Sequence, residues 1–84
     1  MKKTKRTSDY QLFLHFITEA RKSKKVSQAE LAKLLNRPQS FVSKYESGER
    51  RLDIIETLLI VRALGIQERS FLLSLLRKLE GGKL

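Results

Sequence analysis

Cysteine is absent from the 84-residue chain, which excludes a disulfide framework or a thiolate metal site as the staple of so small a core. Helix packing has to hold the chain alone. Proline occurs once and glycine four times, and no run alternates β-branched with polar residues. That pattern argues for helices joined by short turns, an all-α chain. The longest strictly apolar stretch, Leu58 to Val61, spans four residues, far short of the roughly 18 that a membrane span requires. A typical domain has about 150 residues, so there is room here for one small core and none for a two-domain enzyme. Acidic residues are scarce: nine Asp and Glu stand against 18 Lys and Arg, a formal charge of +9. A balance this basic implies an anionic partner.

What is present is ordinary for a folded domain, with 40% hydrophobic and 32% charged residues, too apolar for wholesale disorder. Met1 to Thr7 is positive like the start of a signal peptide. The segment after it is broken by His15, Thr18 and Glu19 and lacks a small-residue cleavage site, so a cytoplasmic location is expected. Residues 1–8 read as a basic, flexible arm, residues 9–80 as the folded domain and residues 81–84 as a frayed tail.

Five helices are expected. Ser8 and Gln11 have the spacing of a capping box, which predicts a first helix over Asp9 to Lys22 with Tyr10, Phe13, Leu14, Ile17 and Ala20 along one face. Ser27 and Glu30 form a second box ahead of Leu31, Leu34 and Leu35, a helix of barely two turns that Asn36 stops. Pro38 suits a first turn. The third helix is therefore expected over Pro38 to Glu46, with Val42 and Tyr45 inward, Gln39, Ser40, Ser43 and Lys44 outward, and Ser47-Gly48 as its stop. Asp53 caps a broad apolar core helix that Gly65 closes. The last helix, Gln67 to Leu79, carries Phe71, Leu72, Leu73, Leu75, Leu76 and Leu79, more apolar surface than a terminal helix of so small a domain can bury internally.

Two short helices joined by about four residues, the second presenting only small polar and cationic side chains, have the form of a helix-turn-helix over about 27–46. Amide, hydroxyl and ammonium groups on a slim helix can reach base edges: Gln matches adenine N6 and N7, Lys matches guanine, and Ser suits either. Ser27-Gln28-Ala29-Glu30-Leu31-Ala32 followed by Gln39-Ser40-Phe41-Val42-Ser43-Lys44-Tyr45-Glu46-Ser47-Gly48 closely resembles the lambda-repressor-like family of phage repressors and Cro proteins, also called the xenobiotic-response-element family. The resemblance continues through Glu49-Arg50-Arg51-Leu52-Asp53 and Ala63-Leu64-Gly65, covering roughly residues 10 to 65.

That resemblance implies a compact five-helix DNA-binding fold and assigns roles. Gln39, Ser40 and Lys44 fall on base-contacting positions. Gln28 falls where relatives contact a phosphate and brace the first glutamine of the recognition helix, here Gln39, while Ser43 can reach a base or a phosphate. Ala32 is the small residue that lets the two helices cross. Arg21 and Glu46 resemble a structural charge pair between the first and third helices. Asn36 replaces the usual turn glycine, and Pro38 stands where relatives often carry a capping hydroxyl.

Other residues leave two readings open. Phe41 either touches a thymine methyl or packs beneath the turn. Arg50 and Arg51 are phosphate clamps or solvated loop charges, and Lys24 and Lys25 pose the same choice. Lys2, Lys3, Lys5 and Arg6 wrap a duplex or belong to a merely disordered terminus. His15 has no partner at metal-ligand spacing; no metal, cofactor or catalytic residue is expected. The expected function is a sequence-specific regulator that binds double-stranded DNA, a repressor or controller occupying a near-palindromic operator as a homodimer paired through Phe71, Leu72, Leu75, Leu76 and Leu79. The alternative is an antitoxin-type interaction module, whose last helix holds a protein partner such as a toxin and whose DNA binding is autoregulatory. A basic protein that coats nucleic acid without preference would need only cations.

Overall fold

A computed structural model of the chain describes residues 2–81, with side chains from residue 9 onward. Its order is α1 (Lys2–Ser23), α2 (Gln28–Leu35), α3 (Gln39–Ser47), α4 (Ile54–Ala63) and α5 (Glu68–Gly81). No strand occurs among the described residues, and no helix among them is long and apolar enough to cross a membrane. The short pair α2 and α3 pack on each other. Helix α1 lies against α3 and α5, while α4 lies against α2 and α5. All five meet in one core, where Ile17, Leu31, Val42, Tyr45, Ile60 and Val61 are fully buried and Leu14, Ala32, Phe41, Leu64 and Phe71 nearly so. Burial of aliphatic and aromatic side chains at roughly 1.5–3 kcal/mol each is the main stabilising term.

Local chemistry explains most boundaries. The Ser27 hydroxyl accepts from the Glu30 amide at 3.0 Å while Glu30 Oε1 accepts from the Ser27 amide at 2.7 Å, closing the box that starts α2. Asn36 ends α2 in the left-handed conformation, φ 58°, a geometry asparagine tolerates better than most residues. Gly48 ends α3 at φ 88°, where any side chain would be strained.

Three boundaries differ from those expected. The α1 backbone is already helical at Lys2, so the Ser8/Gln11 spacing does not mark a helix start. Nothing in Lys2 to Thr7 breaks a helix, and Lys and Arg are good helix formers. The expected arm is thus helical in backbone over residues 2–8, and whether its cations wrap a duplex concerns side chains outside the described ones. Pro38 is the N-cap of α3 and not its first residue, because its ψ of 152° is extended. Lacking a polar side chain, it leaves the first amides of α3 without a side-chain cap. Helix α5 runs on through Gly81, and residues 82–84 of the expected tail lie outside the described residues.

Candidate functional site

The sequence of α3 divides it into two faces. Phe41, Val42 and Tyr45 are buried and fasten the helix to the core, whereas Gln39, Ser40 and Lys44 are exposed. Ser43 is half-buried and donates to the Ser40 carbonyl at 3.3 Å, which turns it partly back on its own helix. Phe41 is only 7% exposed and packs edge-on against Tyr45. Of its two readings, packing is the one the geometry supports.

The end of α3 is anchored to α1 by a charge pair. Arg21 Nε donates to Glu46 Oε2 at 2.8 Å and Arg21 Nη2 to Glu46 Oε1 at 3.1 Å, a two-pronged contact. Arg21 Nη1 also donates to the Val26 carbonyl at 2.7 Å, tying the α1–α2 turn to the same group. The hydrogen bond to Glu46 raises the Arg21 pKa above its ordinary value, against the opposing pull of burial. Gln28 joins this cluster: its Nε2 donates to Glu46 Oε1 at 2.9 Å. The expected brace from Gln28 to Gln39 is therefore not what the structure has. A buried carboxylate is the stronger acceptor for the Gln28 amide than a solvated side-chain amide on the exposed face, so Gln28 reaches α3 at its far end.

A second cluster holds the segment after α3. Arg50 donates to both oxygens of Glu56, Nη1 to Oε1 at 3.1 Å and Nη2 to Oε2 at 2.8 Å, and Nη1 also reaches the Arg51 carbonyl at 3.1 Å. Glu56 Oε1 accepts from the Asp53 amide at 3.1 Å as half of the capping box of α4. Arg50 lowers the Glu56 pKa, with the Asp53 amide helping, and the same hydrogen bond raises that of Arg50. Arg50 is thus neither a free clamp nor a solvated loop charge. It braces the α3–α4 segment while its side chain stays 41% exposed.

Arg51 lies with its guanidinium 4.2 Å from the Tyr10 ring centre, and the Tyr10 hydroxyl accepts from the Leu52 amide at 3.2 Å. Tyr10 of α1 thereby fixes the loop that carries Arg51. Lys24 and Lys25 are exposed in the α1–α2 turn.

Two members of this surface escaped the sequence reading. Glu56 could have been found, because Asp53 and Glu56 have capping-box spacing. Arg37 lies with its guanidinium 4.3 Å over the ring of Phe41, four residues along the chain, and 3.6 Å from Glu56, which only tertiary folding brings near it.

The α5 face also changes membership. Phe71 is 4% exposed and packs tilted against Phe16 with ring centres 5.1 Å apart. It belongs to the core and is unavailable to a partner, since α1 covers it. Leu72, Leu75 and Leu79 are half-buried, and Leu76 is 50% exposed.

Comparison with known proteins bears on this surface. A helix-turn-helix family model matches residues 17–71. A solved structure, described as an XRE-family like protein from Pseudomonas syringae pv. tomato str. DC3000, is 44% identical with a TM-score of 0.82, the match covering 88% of this chain and 90% of that one. No curated protein matches the chain significantly. The matched segment runs from the buried half of α1 to Phe71 and takes in α2, α3 and both charge clusters. The chain belongs to the xenobiotic-response-element, lambda-repressor-like helix-turn-helix family of DNA-binding transcription regulators.

Proposed function

We propose that the chain is a sequence-specific cytoplasmic regulator that represses or controls transcription by occupying a near-palindromic operator as a dimer. The observation that carries this reading is the division of α3: its apolar residues are spent on the core, leaving Gln39, Ser40 and Lys44 exposed together on one short helix. Gln39 supplies an amide for adenine N6 and N7, Lys44 a cation for guanine O6 and N7, and Ser40 a hydroxyl for either. Gln28, Ser43, Arg50 and Arg51 flank that face and serve the backbone, with Arg50 acting mainly through its hold on the loop.

Dimerisation uses what is left exposed on α5. Leu72, Leu75, Leu76 and Leu79 form the stripe, and Leu58 of α4 lines the same shallow depression as Leu72, which broadens it. Two-fold pairing there sets two recognition helices about 34 Å apart, with half-sites roughly 10 base pairs apart. A protein partner on this face is the competing occupant. It predicts that the chain alone stays monomeric at micromolar concentration, whereas the dimer reading predicts self-association that Leu76→Glu abolishes.

The base-reading part is tested by comparing Gln39→Ala with Arg51→Ala on a preferred and a random duplex. Gln39→Ala should relax discrimination at one base position by roughly 1–3 kcal/mol, and Arg51→Ala should weaken both duplexes alike. Equal losses on both duplexes for both variants would sink the assignment of Gln39.

A further inference from the structure

We propose that Arg37, in the turn between α2 and α3, is a backbone-phosphate contact of the DNA-binding surface, and that Phe41, Arg50 and Glu56 hold it ready for that role. The inference rests on the reading of α3 as the helix that meets the duplex.

Two guanidiniums share one carboxylate here, and they share it unequally. Arg50 takes both oxygens of Glu56 at hydrogen-bond distance, and the Asp53 amide takes a further lone pair. Arg37 Nη2 stands 3.6 Å from Glu56 Oε2, beyond the range of about 2.7–3.2 Å for an N–H···O hydrogen bond. Glu56 therefore attracts Arg37 without consuming its donors. The cluster of Arg37, Arg50 and Glu56 keeps one positive charge in excess, and Arg37, whose donors Glu56 does not take, carries it with 43% of its side chain exposed.

Orientation comes from the ring beneath. The Arg37 guanidinium lies 4.3 Å and that of Arg50 4.9 Å from the centre of Phe41, a buried residue of α3. A planar fork laid on a fixed ring loses less freedom on binding than a free side chain, and its geometry matches two phosphate oxygens. Location selects the ligand. Arg37 sits on the approach to α3, beside Pro38 and the helix's first amides, which lack a side-chain cap and also favour an anion. The base-reading side chains Gln39, Ser40 and Lys44 lie on the helix proper. A cation held at the flank by a core ring and a carboxylate suits the phosphodiester line bordering the groove.

The test measures association of the full chain with a preferred and a random duplex across a salt series, for wild type, Arg37→Ala and Arg37→Lys, with a thermal melt of each. Each phosphate contact contributes about 0.9 to the slope of log K against log salt. Arg37→Ala should flatten the slope by about that amount on both duplexes, lower affinity for both by the same factor and leave the melting temperature within a few degrees. Arg37→Lys should keep the slope, because the charge remains. An unchanged slope for Arg37→Ala, or a loss confined to the preferred duplex as a base contact would give, overturns the proposal. A wild type that binds both duplexes equally overturns the operator reading but leaves the Arg37 slope readable on either; one that binds neither overturns both.

Discussion

Removing the Glu46 carboxylate is the severest single perturbation the structure offers outside the apolar core. The side chains of Arg21 and Glu46 are only 10% and 7% exposed, so Glu46→Ala leaves the Arg21 guanidinium out of water with the Val26 carbonyl as its remaining acceptor and strips Gln28 of its partner. Breaking a buried pair from one side costs about 3–5 kcal/mol, chiefly through the uncompensated charge. A chain of 84 residues has about 4–13 kcal/mol of total stability at 0.05–0.15 kcal/mol per residue. The loss is therefore about a quarter of the stability at best and more than all of it at worst. At 4–8 °C per kcal/mol for a domain of this size, the midpoint should fall by roughly 12–40 °C. Urea unfolding followed by helical circular dichroism at neutral pH measures it. The double variant Arg21→Met with Glu46→Leu removes both charges and should be at least as stable as Glu46→Ala, although the Val26 carbonyl then loses its donor, at about 1–3 kcal/mol. A loss below about 1 kcal/mol for Glu46→Ala, or costs that simply add in the double variant, would refute the argument by showing a pair that solvent already screens.

Three further outcomes follow from single groups. The Tyr45 hydroxyl is buried with no hydrogen-bond partner among the described residues, and burial together with neighbouring Glu46 raises its pKa; Tyr45→Phe should leave stability unchanged or increase it by about 1 kcal/mol, and a loss above that in urea unfolding would mean that the hydroxyl is satisfied. Lys25 holds φ at 58°, a left-handed backbone that costs a non-glycine residue roughly 1–2 kcal/mol; because glycine gives back part of that in unfolded-state freedom, Lys25→Gly should raise the melting midpoint by a few degrees. Glu56 has its pKa lowered in the folded chain below an ordinary value of 4.5 by Arg50 and the Asp53 amide. Its contribution is then complete above about 4.5 and lost as pH falls through the lower folded value, so Glu56→Gln should flatten stability against pH below about 5 and leave the slope near neutrality unchanged.

How much of this was legible in the sequence depends on how far apart the interacting groups lie along it. The Ser27–Glu30 box, the Asn36 stop, the Asp53 cap and the Gly48 stop are contacts within a turn or so, and each stood where its residue type requires. Pro38 missed by one position because a proline fits equally well as the cap or as the first helical residue, and only ψ separates the two. The start of α1 was misjudged for a related reason: a box spacing inside a run of good helix formers competes with simple continuation, and continuation won. The exposed set on α3 was legible because Val42 and Tyr45 fix the inward side, after which Gln39, Ser40 and Lys44 can only face out.

Tertiary pairings were a different matter. Resemblance supplied the Arg21 and Glu46 pair, but it joined Gln28 to Gln39, whereas the carboxylate of Glu46 is the better acceptor. Phe71 looked available because α5 alone cannot cover it, and nothing local shows that Phe16 of α1 does. Arg37 was not singled out: Phe41 stands only four residues on, but Glu56 meets it only after α2, α3 and α4 have packed.

The proposed function requires that this family member read one DNA sequence as a dimer. Selection of bound duplexes from a random library at near-physiological salt, with the mass of the complex read by light scattering, tests it most directly. An operator-reading dimer should enrich a near-palindrome with half-sites about 10 base pairs apart and two protomers bound. No enriched sequence, with binding that vanishes as salt rises, would contradict it.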